Sequence, residues 1–224
     1  SLAGVSLPSG LQRLELGRSF NQPLQGVTLP SGLQDLRFER DFNQSLVGVA
    51  LPSALQALPS GLQALSFGHN FNQSVDGMIW PSGLQAIVFG QSFNQCLDGA
   101  ALPSSLQALV VGDGFRRSFT DVTFPDSLQT LVLHCDLSLD GVDFPSGLQE
   151  LSLGFFFDQS LSGASLPSGL RTLLFGDLFN QSLDCTTLPA GLQTLSRQSF
   201  QSELGQYNFA KRPAEAAGWH NIAK

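Results

Sequence analysis

The chain has 224 residues, of which 42% are hydrophobic and only 13% charged, about half the usual charged share. Its net charge is -7, and the nearest approach to a basic cluster is Lys211-Arg212, so it lacks the grouped cations that a nucleic-acid surface requires. There is no run of about 18 apolar residues, which excludes a membrane-spanning helix.

Proline marks a period along the chain. It occurs at Pro8, Pro30, Pro52, Pro59, Pro81, Pro103, Pro125, Pro145, Pro167 and Pro189, mostly in steps of 22 residues. Two steps differ: 7 residues from Pro52 to Pro59, and 20 from Pro125 to Pro145. The short step is a local duplication, in which Leu51-Pro-Ser-Ala-Leu-Gln-Ala is followed by Leu58-Pro-Ser-Gly-Leu-Gln-Ala. The 20-residue step has lost part of one loop, leaving Leu137-Ser138-Leu139. Self-similarity at this period means a solenoid, in which each unit buries its apolar side against its neighbours.

The first full unit reads Leu11-Gln-Arg-Leu14-Glu-Leu16-Gly17, then Phe20-Asn21-Gln22, Leu24, Gly26-Val27 and Leu29-Pro30-Ser31-Gly32. The alternation at Leu14, Glu15 and Leu16 puts the two leucines on one side of a strand and the glutamate on the other. The same pattern predicts strands over 33–38, 62–67, 84–89, 106–111, 128–133, 148–153, 170–175 and, weakly, 192–196. Equivalent strands one repeat apart can pair in register at a spacing of about 4.8 Å, so nine coils would extend roughly 40 Å. The fold expected is therefore a β-rich solenoid with one parallel β-sheet and about nine 22-residue repeats.

The rest of the unit is too short and too rich in Gly and Pro for a helix, and Pro-Ser-Gly reads as a turn. Phenylalanine recurs at one offset (Phe20, Phe42, Phe71, Phe93, Phe115, Phe157 and Phe179) and is expected to stack into an internal ladder. Glycine recurs as Gly17, Gly68, Gly90, Gly112, Gly154 and Gly176, where a positive φ is expected. Asn21, Asn43, Asn72, Asn94 and Asn180 are placed to satisfy loop amides down the stack. Asn43, Asn72 and Asn180 also open Asn-Gln-Ser triplets, formally glycosylation acceptors, but their fixed place in the repeat favours a structural role.

The pattern Leu-Pro-Ser-Gly-Leu-Gln-x-Leu-x-Phe-Gly-x-x-Phe-Asn-Gln-Ser-Leu resembles the FNIP repeat, a leucine-rich-repeat-like family abundant in social amoebae, with comparable arrays in dinoflagellates. The name-giving motif stands here as Phe20-Asn21-Gln22-Pro23 and Phe42-Asn43-Gln44-Ser45, with Gln in place of Ile and usually Ser in place of Pro. The resemblance covers residues 1 to about 204. It implies a leucine-rich-repeat-like coil stack and protein binding, and it carries over no catalytic residue.

The pattern divides the chain into a repeat solenoid at 1–204 and a non-repeat tail at 205–224. The tail holds Tyr207, Phe209, Trp219 and Ile222. Pro213 through Ala217 can open a short helix that ends at Gly218, which makes the tail a candidate C-terminal cap. At the other end Leu2, Gly4, Val5 and Leu7 already match the repeat, so that edge is expected to be continued or covered by a partner.

Catalytic constellations are sparse. His69, His134 and His220 fall on unrelated positions, and none is spaced with Cys or carboxylates as a metal site demands. Cys135 follows His134, but adjacent residues of an extended chain point apart. Asp76 and Asp98 share one repeat position, as do Asp140 and Asp184, and read as solvated loop acids. No phosphate loop or dinucleotide fingerprint is present. The three cysteines, Cys96, Cys135 and Cys185, form no regular disulfide framework, which favours a reducing intracellular compartment. No enzyme activity and no cofactor is expected.

The outward strand side chains give a candidate partner surface. One row reads Glu15, Arg37, Ser66, Val88, Val110, Val132, Ser152, Leu174 and Ser196, and the row beside it Arg13, Asp35, Ala64, Ala86, Ala108, Thr130, Glu150, Thr172 and Thr194. The face is charged at first and apolar in the middle. An exposed apolar patch at Ala86, Val88, Ala108, Val110, Thr130 and Val132, extended by Leu174, would mark an interaction surface. Strand propensity alone also accounts for the valines. A second candidate is Phe155-Phe156 with Leu178, in a loop that is polar in most other repeats; these residues are either a hot spot or covered by the tail. The expected function is a non-catalytic protein-binding module with one or more protein partners. The alternative is an accessory subunit built into a multi-subunit complex.

Overall fold

A computed structural model describes residue 2 and residues 4–24, 26–46 and 61–197. Within them the chain winds as a solenoid with one strand per coil. The strands are β1 (Arg13–Leu16), β2 (Asp35–Phe38), β3 (Ala64–Ser66), β4 (Ala86–Val88), β5 (Ala108–Val111), β6 (Thr130–Leu133), β7 (Glu150–Leu153), β8 (Thr172–Phe175) and β9 (Thr194–Arg197). They form a single sheet in the order β1 to β9, every neighbouring pair parallel and matched residue to repeat-equivalent residue. No helix occurs among the described residues. The 51–57 duplication and the 205–224 tail lie outside them.

The strands begin about two residues later than the periodicity suggests. The reason is the turn before them: the Leu33 amide donates to the Pro30 carbonyl at 3.0 Å, and the same bond recurs from Leu84 to Pro81 and from Leu170 to Pro167. The leucine therefore closes the Pro-Ser-Gly turn rather than opening the strand. The next carbonyl then ties the coils together, as the Gln12 carbonyl accepts from both Gln34 and Asp35 of the following coil. The last strand, β9, is as long as most of the others despite its weaker pattern.

Inside the coils, Phe42, Phe71, Phe93, Phe115, Phe157 and Phe179 are buried, with Phe20 half-buried at the end. Stacked rings of successive coils lie 6.0–6.2 Å apart, from Phe20–Phe42 through Phe93–Phe115 and again at Phe157–Phe179. A second column stands beside the first: Phe38, Phe67, Phe89 and Phe175, at the strand ends, lie 3.8–4.1 Å from their own coil's ladder ring. In the shortened coil Cys135 takes the ladder position and is buried. Each such buried side chain contributes about 1.5–3 kcal/mol, and none of it is available to an isolated coil.

The asparagines form the expected polar ladder. Asn43 and Gln44 donate, through backbone N and Nε2, to Asn21 Oδ1 at 3.0 Å. Asn72 and Gln73 donate likewise to Asn43, and Asn94 and Gln95 to Asn72. Aspartate substitutes without changing the geometry: Asp136 Oδ1 accepts from Asp158 and Gln159, and Asp158 Oδ1 from Asn180 and Gln181. The Asn carbonyl oxygens at positions 21, 43 and 72 thus hold the next coil's loop, which accounts for the repeated Asn-Gln pair.

The recurring glycine has a different cause from the one expected. Gly68, Gly90, Gly112, Gly154 and Gly176 do not have positive φ; a Cβ on any of them would fall on the backbone of the coil below. At Gly90 it would meet the Gly68 carbonyl oxygen, and at Gly154 the His134 Cα. Gly17, on the first coil, has open space at that point. Positive φ belongs instead to Gly4, Gly26, Gly77 and Gly141, in the turn before the proline. There the Val27 amide closes on the Leu24 carbonyl at 3.0 Å.

Candidate protein-interaction face

The strand side chains divide as the alternation requires. Leu36, Leu65, Ile87, Leu109, Leu131, Leu151 and Leu173 point into the core cluster, whereas Val110, Val132 and Leu174 are excluded from it. The sheet aligns Val88 with Val110, Val110 with Val132, and Ala86 with Ala108 and Thr130.

This row is not, however, the broadly exposed patch expected. Val110 and Val132 are each only 3% exposed, Ser152 and Leu174 are also buried, and Val88, Ala86, Ala108 and Thr130 are half-buried. The cause is strand spacing. At about 4.8 Å, side chains of the same row cover one another's flanks, and the middle of a row is shielded most. What faces solvent is a low surface of methyl and hydroxyl groups.

The N-terminal end of the face is charged, and its Asp35 carboxylate is paired with two arginines. Arg13 Nε lies 3.1 Å from Asp35 Oδ2, and Arg37 Nε lies 3.0 Å from Asp35 Oδ1. The side-chain requirements of Asp35 are met within the sheet.

Phe156 and Leu178 are the strongly exposed pair, at 51% and 49%. Phe155 is half-buried and meets Phe156 edge-on, centroids 5.1 Å apart. The two loops are joined by the Leu178 amide, which donates to the Phe155 carbonyl. Sequence reasoning missed Ile79, which is 56% exposed. Its signal is an isoleucine in a row otherwise formed by small or polar residues, among them Ser6, Thr28, Ala101, Thr123, Asp143 and Thr187.

The titratable groups form no reactive centre among the described residues. Burial pushes the Cys135 thiol up to about 12, so it carries no thiolate at neutral pH. Burial also lowers His134, against the opposing pull of the Asp113 carboxylate. Cys96 and Cys185 are exposed, and all three cysteines are free. Asp76 and Asp140 rest their carboxylates against Gly99 and Gly163 of the next coil. No group of three or more metal-ligating side chains occurs among the described residues, and no helix there is long and apolar enough to cross a membrane.

The repeat signature is decisive for family. The family model for the FNIP Repeat matches residues 1–41, 20–58, 71–114, 93–136, 136–178 and 157–196. The chain belongs to the FNIP repeat family.

Within this FNIP array the motif's first two letters have separate duties. Phe fills the internal ladder, and Asn supplies the side-chain oxygen that the next coil's loop hangs from. Among curated proteins no match was found. Among solved structures, CroV588, described as a novel circular leucine-rich-repeat protein, is 28% identical over 83% of this chain, with a TM-score of 0.49. The chain spans 36% of that protein's length. A leucine-rich repeat protein from Bacteroides ovatus is 14% identical over 86% of this chain and 60% of that one, with a TM-score of 0.18.

Proposed function

We propose that this FNIP array is a non-catalytic protein-binding module whose partner lies on the outward strand face, centred on Ala86, Val88, Ala108, Val110, Thr130 and Val132, with Leu174 at its edge. The observation that supports it most is the change of chemistry along one register-matched face. Asp35 accepts from Arg13 and Arg37 at one end, and the central rungs offer only apolar and hydroxyl groups. The inward leucines form the core cluster, and Val110, Val132 and Leu174 stand outside it, buried only within their own row.

The test is capture by the immobilised chain, comparing the parent with Ala108→Glu. Ala108 is half-buried on the outer side, so the melting temperature is expected to stay within a few degrees, whereas an unpaired charge in an interface is costly. A partner retained by the parent and lost by Ala108→Glu supports the reading. Equal capture by both folded proteins overturns it.

A further inference from the structure

A second backbone row runs through the loops that follow the strands. The Asp41 amide donates to the Arg18 carbonyl, Asn70 to Arg40, Ser92 to His69, and Gly114 to Gln91. The row then stops for one coil and resumes with Leu178 donating to Phe155. The break falls where the chain is two residues short: His134 holds the position of Gly112 and Gly154, and the buried Cys135 follows at once in the ladder position. The coil therefore passes from strand to ladder without the loop residues that its neighbours have.

Both sides of the gap register the missing rung. On the near side, the Asp113 carbonyl accepts the Arg116 guanidinium instead of a loop amide. On the far side, the Phe156 amide occupies the row's donor position and makes no backbone hydrogen bond to another described residue. Beside that amide stand the two exposed apolar side chains of this region, Phe156 and Leu178. The far side of the gap is acidic: Asp136 and Asp158 stand on the coils there and Asp177 precedes Leu178, whereas the near side carries the Arg116 guanidinium.

We propose that this gap is a docking site for an extended segment of a partner protein that carries a bulky apolar side chain flanked by basic residues. The segment supplies the missing rung: its carbonyl accepts from the Phe156 amide, and its apolar side chain covers Phe156 and Leu178. Its cations meet Asp136, Asp158 and Asp177. An unpaired amide beside exposed aromatic surface is the pattern that added backbone completes. The site is separate from the strand face and stands whether or not that face binds anything.

The probe is the blocked tripeptide acetyl-Lys-Phe-Lys-amide, titrated into the full 15N-labelled chain with the amide resonances of Phe156, Leu178 and Gly114 followed. The expected result is a saturable shift at Phe156 and Leu178, about tenfold weaker with acetyl-Glu-Phe-Glu-amide, a difference of about 1.4 kcal/mol. Inserting Asp-Gly between His134 and Cys135, which copies Asp113-Gly114 and restores the rung, should abolish the response. Phe156→Ser with Leu178→Ser, two exposed positions that do not threaten folding, should abolish it too. Four results overturn the proposal. These are no saturable shift, an equal response to the acidic peptide, a response that survives either variant, and a Phe156 amide already protected from exchange in the free chain. The last would mean that the chain itself or a second copy fills the gap.

Discussion

Phe93→Ala tests the coil stack most directly. The Phe93 ring is fully buried, stacked 6.1 Å from Phe71 below and 6.1 Å from Phe115 above, and 4.0 Å from Phe89 in its own coil. Transfer of that side chain from water contributes about 1.5–3 kcal/mol. The cavity left behind adds to the loss, because the rings on either side are fixed by backbone rungs about 4.8 Å apart and cannot close in. The total expected is about 3–5 kcal/mol. Phe20→Ala is the internal control: Phe20 is half-buried with one stacked neighbour, Phe42, so its loss should be about half, roughly 2 kcal/mol. Urea denaturation of both variants beside the parent measures the difference. A loss below about 1 kcal/mol for Phe93→Ala, or equal losses for the two, would refute the argument that neighbouring coils bury what one coil cannot.

Gly90→Ala should be destabilised by about 1–3 kcal/mol, because its Cβ meets the Gly68 carbonyl, whereas Gly17→Ala, with open space, should melt at or slightly above the parent temperature. Equal effects would return the explanation to φ. Asn72→Ala should lose about 1–3 kcal/mol in thermal melts, since the Asn94 amide and the Gln95 side chain lose their acceptor. Asn72→Asp should recover most of that loss, as Asp136 and Asp158 already serve the same role. With a thiol reagent at pH 8 and no denaturant, Cys96 and Cys185 should react and Cys135 should not. Because burial raises the folded Cys135 pKa above its unfolded value, its stabilising contribution is complete below about pH 9 and is lost as pH rises toward 12. For His134 the folded pKa is lowered, so stability falls as pH drops below 6.5, and His134→Gln should flatten that limb of an acid titration.

Much of the architecture was legible because a repeat states the same requirement many times. The alternation around Leu14 and Leu16 set the strand facing, the fixed offset of Phe20, Phe42 and Phe71 set the ladder, and the register followed from the period. The Asn role was legible for the same reason: a polar side chain at one position of most coils has its neighbours' loop amides within reach. The second column at Phe38, Phe67 and Phe89 was present in the pattern but hidden, because strand-end leucines and phenylalanines look interchangeable until the ladder ring is placed beside them.

The features hidden from the sequence depend on distances between coils. The recurring glycine after the strand could serve either φ or close approach; the carbonyl of the coil below chose approach, and φ fell to Gly26, Gly77 and Gly141. Val110 and Val132 read as exposed because alternation tells which side a residue faces but not what flanks it there; rows packed at strand spacing bury their own middle. The two residues missing after His134 were visible as a shortened period. That they leave the Phe156 amide without its rung became apparent only when the coils on both sides were in place.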